Sequence, residues 1–269
     1  MLVRILAPAL IMAASVASSH AEEIVLLHAA GSLRDALSDV AKSFETASGA
    51  KVTMKYGASG TLKDAIAGGE RAEVFASANM EHPQALAKTG KSGPVVLFAR
   101  NRLCALVRPG LEITSTTLLG KMLDAGVKVG TSTPKADPSG DYAFEVFRKA
   151  EAVKPGAQAS LEKKALQLTG SPTSPQAPSG RSLYGMLIAQ GKADLFLTYC
   201  TGALAAQKES AGQQIVQLPD NLAVGADYGL TVTSNASPGA YRFAMFILSP
   251  EGQRTLAKYG FAAPGLPVE

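Results

Sequence analysis

Two serines stand at the same point of two similar patterns. His28-Ala29-Ala30-Gly31-Ser32-Leu33-Arg34-Asp35-Ala36-Leu37 follows the apolar run Ile24-Val25-Leu26-Leu27, and Gly57-Ala58-Ser59-Gly60-Thr61-Leu62 follows Val52-Thr53-Met54-Lys55-Tyr56. Each reads as a strand, a small-residue turn carrying a serine, and a helix start. The first turn of a helix leaves backbone N–H groups without intrahelical partners, and a serine hydroxyl adds another donor. Such a spot suits an oxyanion without any charged side chain. Two more loops, 131–140 and 179–182, place Ser139 and Ser182 near helix starts. A lone serine there is ordinarily an N-cap. Four on one chain point to reversible capture of a small anion by neutral donors.

Positioning those serines falls to an alternation of strands and helices. Strands are expected at 24–27, 52–56, 74–77, 95–107, 127–130, 194–199, 214–217 and 229–233. Helices are expected at 33–45, 62–67, 80–90, 141–149, 182–190, 241–248 and 250–259, while 158–168 fits either state. Leu33, Ala36, Leu37, Val40 and Phe44 form one apolar stripe behind a capping-box-like Ser32-x-x-Asp35. The βαβα order predicts an α/β fold with parallel sheets covered on both faces, and function at the edge where strands give way to helices.

Residues 1–21 read as a secretory signal. Arg4 supplies the charge, 5–16 the apolar stretch, and Ser19-His20-Ala21 a small-x-small cleavage site. The apolar stretch is too short to span a bilayer. Export to a bacterial periplasm as a free protein is therefore expected. The formal net charge is +4, one less without Arg4, and the positives are scattered. With aromatics at 6% and no basic run among them, nucleic-acid binding is excluded as a leading reading. The two cysteines, Cys104 and Cys200, lie in apolar strand-like runs. In an oxidising compartment they form either a disulfide or two buried inert thiols.

The motifs then add up in order. After Ala29-Ala30-Gly31-Ser32-Leu33-Arg34-Asp35-Ala36 comes Tyr56-Gly57-Ala58-Ser59-Gly60-Thr61-Leu62, then Ala67-Gly68-Gly69-Glu70-Arg71-Ala72-Glu73-Val74-Phe75-Ala76-Ser77-Ala78. Asn101-Arg102-Leu103-Cys104-Ala105-Leu106-Val107-Arg108-Pro109, Pro138-Ser139-Gly140-Asp141-Tyr142-Ala143, a strand ending in Tyr199, and Lys258-Tyr259-Gly260-Phe261 complete the set. The ordered set resembles the periplasmic molybdate-binding proteins that feed ABC importers. One difference is Gly31, which falls between alanine and serine where that family runs straight on. Asp137 and Asp141 also flank the third loop, where their charge would repel an anion if they pointed inward.

The resemblance implies a two-lobe, type II periplasmic-binding fold, with 22–100 plus 235–269 as one lobe and 101–234 as the other. Crossings between lobes are expected near 99–103 and 228–234. It implies Ser32 and Ser59 as donors from the first lobe. Ser139 would donate chiefly by its backbone N–H, a residue in 180–182 (Arg181 at its centre) by another, and Tyr199 by its phenol. Molybdate or tungstate would be the ligand, with no cofactor. The partner would be an inner-membrane permease, and the protein a monomer. The nearest alternative is the same fold holding sulfate, phosphate or a small organic acid. More distant are a ferric site built on Tyr56, Tyr142, Tyr184 and Tyr199, and a serine hydrolase using Ser160-x-x-Lys163 and Lys88-Thr89-Gly90.

Overall fold

The computed structural model describes residues 23–178, 180–262 and 264. The expected signal segment and Ser179 lie outside them. The strands are β1 (Ile24–Ala30), β2 (Lys51–Gly57), β3 (Val74–Ser77), β4 (Val96–Val107), β5 (Val129–Ser132), β6 (Leu166–Thr169), β7 (Leu195–Tyr199), β8 (Gln214–Gln217) and β9 (Gly225–Val232). The helices are α1 (Arg34–Ser48), α2 (Ser59–Ala67), α3 (Glu81–Lys88), α4 (Leu118–Leu123), α5 (Pro138–Val153), α6 (Ala157–Lys164), α7 (Leu183–Ala189), α8 (Cys200–Glu209), α9 (Pro238–Leu248) and α10 (Pro250–Lys258). The ambiguous stretch 158–168 is a helix followed by a strand. Helices α4 and α8 were not legible in the apolar pattern, because one is short and the other starts directly at the end of a strand.

The strands run in the order β2-β1-β3-β9-β4-β7-β5-β6, with β8 also on β4. β1 pairs in parallel with β2 and β3, and β5 with β6 and β7. The parallel pairing expected within each group is present, and the antiparallel pairings are those of β9 with β3 and β4, and of β4 with β7 and β8. These antiparallel strands are the connectors. The first half of β4, Val96 to Arg102, pairs with β9, and its second half, Leu103 to Val107, pairs with β7. One long strand thus runs from one group of strands into the other. β9, which a boundary at 234 would place in the second group, sits instead between β3 and the first half of β4.

The largest core cluster runs through both groups. Ala36, Leu37, Val40, Ala41 and Phe44 of α1 are buried against it. Burying side chains of this size stabilises by about 1.5–3 kcal/mol each for Leu, Val and Phe, which is what holds a helix over a sheet face. A second cluster forms around Cys104, Leu106, Phe196 and Ala203, where Cys104 and Cys200 are joined in a disulfide.

Candidate functional site

Parallel pairing brings strand ends to one edge. β1, β2 and β3 end together, so Ser32, Ser59 and Ala78 follow them on the same side. Ser32 lies in a 3-10 turn, Gly31 to Leu33, which absorbs the extra glycine. The expected capping box does not form: α1 starts from Leu33 with no side-chain cap, and Ser32 Oγ lies 3.0 Å from Tyr228 Oη. Ser59 opens α2 and is 1% exposed. Its hydroxyl oxygen accepts the Ala78 N–H at 3.1 Å. A hydroxyl used as an acceptor keeps its proton free to donate.

The second edge gathers the ends of β5, β6 and β7. Ser139, fully buried, stands in the first turn of α5. Asp137, the N-cap, accepts the Ser139 N–H at 3.0 Å. The Gly140 N–H donates to the Asp137 carbonyl at 2.8 Å. The backbone donor assigned to Ser139 is therefore occupied, and it is the Ser139 hydroxyl that finds no hydrogen-bond partner. Burial raises the Asp137 pKa, while the Ser139 N–H and the Ser132 hydroxyl pull it back down. Asp141, half-buried, accepts the Lys135 N–H at 2.7 Å, and burial raises its pKa too. Tyr199 ends β7 and is 2% exposed, and its phenol oxygen also has no partner.

The two edges touch. The Tyr142 phenol of α5 donates to the Ala78 carbonyl at 3.3 Å, and the Gly60 N–H of α2 donates to the Ala136 carbonyl at 3.0 Å. A side chain at Gly60 would meet the Lys135 carbonyl oxygen at 2.5 Å, so glycine is what permits this approach. Tyr199 packs between Tyr142, at 6.2 Å between ring centres, and Tyr228, at 5.6 Å. Burial raises the pKa of Tyr142, Tyr199 and Tyr228, and that of Tyr184 to about 12. All four phenols are neutral near neutral pH and can donate hydrogen bonds.

A cleft of about 480 Å³ opens beside them, lined by Ser32, Arg181, Ser182, Tyr184, Tyr199 and Thr201 among others. The structure thus brings Ser32, Tyr199 and Arg181 to one cleft. Ser59 and Ser139 are buried away from its surface, beside the Gly60–Ala136 contact. The 180–182 loop offers less than the sequence suggested. The Arg181 N–H donates to the Pro178 carbonyl at 3.1 Å and the Ser182 N–H to Glu209 at 2.6 Å. The exposed Arg181 guanidinium donates to the same Glu209 carboxylate at 2.9 Å. Its role as a ligand contact would require Glu209 to give way.

Sequence reasoning missed Tyr228, Asn101 and Glu209. Asn101 sits at the middle of β4 and donates to Thr201 Oγ1 at 2.8 Å and to Tyr228 Oη at 3.4 Å. Its local signal is the polar break Arg100-Asn101-Arg102 in an otherwise apolar strand. Ser160, the nucleophile of the hydrolase alternative, is exposed on α6.

A profile of the bacterial extracellular solute-binding proteins matches residues 25–262. An uncharacterised protein of Pasteurella multocida is 33% identical over 204 residues, covering 75% of this chain and 84% of that one. The periplasmic molybdate-binding protein of Azotobacter vinelandii superposes with a TM-score of 0.70 at 19% identity, over 89% of this chain and 99% of that chain. The sulfate-binding protein of Mycobacterium tuberculosis superposes with 0.73 at 20% identity, over 90% and 88%. These similarities carry the fold, an α/β protein of the type II periplasmic-binding kind. No helix among the described residues is long and apolar enough to cross a membrane.

Proposed function

Since the chain belongs to the bacterial extracellular solute-binding protein family, we propose that it is the periplasmic binding component of an ABC importer and captures a tetrahedral oxyanion, molybdate or tungstate, between its two groups of strands. The observation that carries this reading is the set of buried hydroxyls with protons to spare. Ser139 Oγ and Tyr199 Oη have no partner, and Ser59 Oγ serves only as an acceptor. A buried donor left unsatisfied costs about 1–3 kcal/mol, and an anion arriving with several lone pairs removes that cost. Neutral donors fixed on two sheet edges discriminate by size and by full ionisation, because a protonated oxygen would face a donor with a donor.

Tyr142 and Tyr228 extend the set. Their rings pack edge-on and tilted against Tyr199, and their own phenols bond to the Ala78 carbonyl and the Ser32 hydroxyl. Closing the two edges on the anion would create the surface that an inner-membrane permease recognises. Sulfate is the second reading, since a sulfate-binding protein shares the fold to a similar degree. Calorimetric titration of the exported protein with molybdate, tungstate, sulfate and phosphate tests both. Heat with molybdate and tungstate supports the first reading. Heat with sulfate alone transfers the site to the second.

A further inference from the structure

We infer that Asp137 couples anion capture to proton uptake: a fully ionised oxyanion gains the Ser139 N–H only when the Asp137 carboxylate, which holds that N–H in the structure, takes one proton from solvent. This rests on the proposed capture of an oxyanion between the two groups of strands and adds a specificity-determining residue to it.

The geometry has three parts. Asp137 Oδ1 lies 3.0 Å from the Ser139 nitrogen, so the donor that an anion would use is already spent on a carboxylate. The Ser139 hydroxyl on the same residue is fully buried and without a partner, and so is the nearly buried Tyr199 phenol, so donors remain there that the carboxylate does not satisfy. Third, the carboxylate is packed in place. A side chain at Gly170, a glycine at φ +84°, would come within 2.5 Å of the Asp137 Cβ. Asp137 makes no salt bridge among the described residues.

The groups facing Asp137 give no positive charge to offset a second negative one. On its own helix stands Asp141, which repels it, with Lys135 acting on Asp141. From β5 comes the Ser132 hydroxyl, from α7 the Tyr184 phenol, and from β7 the Tyr199 phenol. Burial already raises the pKa of Asp137, and a dianion beside it raises it further. The bookkeeping of protons is simple. One proton leaves solvent and binds the carboxylate, the Ser139 N–H is released to the anion, and the new carboxyl O–H becomes one more donor. Uptake is required above the pKa of Asp137 in the free protein. Affinity should therefore fall as pH rises there, with a slope approaching about tenfold per pH unit for one linked proton.

The test is calorimetric titration with micromolar molybdate between about pH 6 and pH 8.5, on the wild type and on Asp137→Asn. Asparagine is a sound N-cap but carries no charge, so it holds the Ser139 N–H only weakly against an anion and needs no proton to yield it. Wild-type affinity should fall with rising pH, while the variant should be flat and tighter at the alkaline end. Titration of the wild type in buffers of different ionisation heat, which needs no variant, should show net proton uptake. Binding with parallel pH profiles in both proteins, or with no proton uptake, overturns the inference and leaves the oxyanion reading standing. Absence of molybdate binding at every pH overturns the molybdate reading and the inference with it.

Discussion

Ser32 Oγ and Tyr228 Oη lie 3.0 Å apart, although 196 residues separate them in the chain. That bond joins the turn after the first strand to the strand that returns from the other half of the molecule. Asn101 reaches the same phenol at 3.4 Å from β4. Tyr228→Phe removes the phenol from both partners. We predict a loss of about 1 kcal/mol in unfolding free energy, the usual net worth of such a bond, read from urea transitions. Anion affinity should weaken as well, because Ser32 loses its orientation.

Ser59→Ala strands the Ala78 N–H, which has the serine oxygen as its acceptor in a buried setting. The expected destabilisation is about 1–3 kcal/mol, with a loss of anion binding in calorimetry. If the variant is destabilised but binds as the wild type does, Ser59 is structural and not a ligand contact.

Gly60→Ala places a methyl group against the Lys135 and Ala136 carbonyls, at 2.5 and 2.7 Å. Backbone on one edge must then move away from the other. Small-angle scattering should show a more expanded anion-saturated state than the wild type, and affinity should fall with little change in the stability of the free protein.

Cys104 and Cys200 enclose a sequence separation of 96. Loop-closure entropy for a ring of that length gives about 4.7 kcal/mol of stabilisation. Reduction, or the Cys104→Ala/Cys200→Ala pair, should lower the urea midpoint accordingly. Because Cys200 adjoins Tyr199 in sequence, anion affinity should drop in the reduced protein even where it remains folded.

His82 gives the pH dependence of stability. Burial, first, and the charge of Lys63 lower its pKa below the ordinary 6.5, and its Nε2 has no partner. The unfolded chain then binds the proton more readily than the folded one. Stability from this group is complete above about pH 6.5 and is lost as pH falls through the lowered folded value. Urea midpoints of the wild type should decline from about pH 7 to pH 5, and His82→Gln should flatten part of that decline.

Much of the fold could be read locally. The runs before Ser32 and Ser59 and the apolar stripe of α1 placed strands, turns and helices near their observed positions. Parallel pairing of β1, β2 and β3 follows from helices that carry the chain back across the sheet. What escaped the sequence was non-local. Ser32-x-x-Asp35 has the spacing of a capping box, yet the serine turns to a tyrosine on β9 instead. The antiparallel places of β4 and β9 depend on a strand long enough to serve both groups, which no local pattern reveals. Asp137 was visible as a charge near the third loop, but its grip on the Ser139 N–H depends on the cap geometry of α5. Glu209 sits 27 residues from the Ser182 N–H that it occupies, so no short motif links the two.

Equilibrium dialysis of the exported, disulfide-intact protein against micromolar molybdate, followed by elemental analysis, tests the central claim most directly. A clamp of neutral donors built from Ser32, Ser59, Ser139 and Tyr199 predicts about one molybdenum retained per chain, and loss of retention in a Ser59→Ala/Tyr199→Phe protein that still folds. Wild-type protein that retains none, or a double variant that retains as much as the wild type, contradicts it.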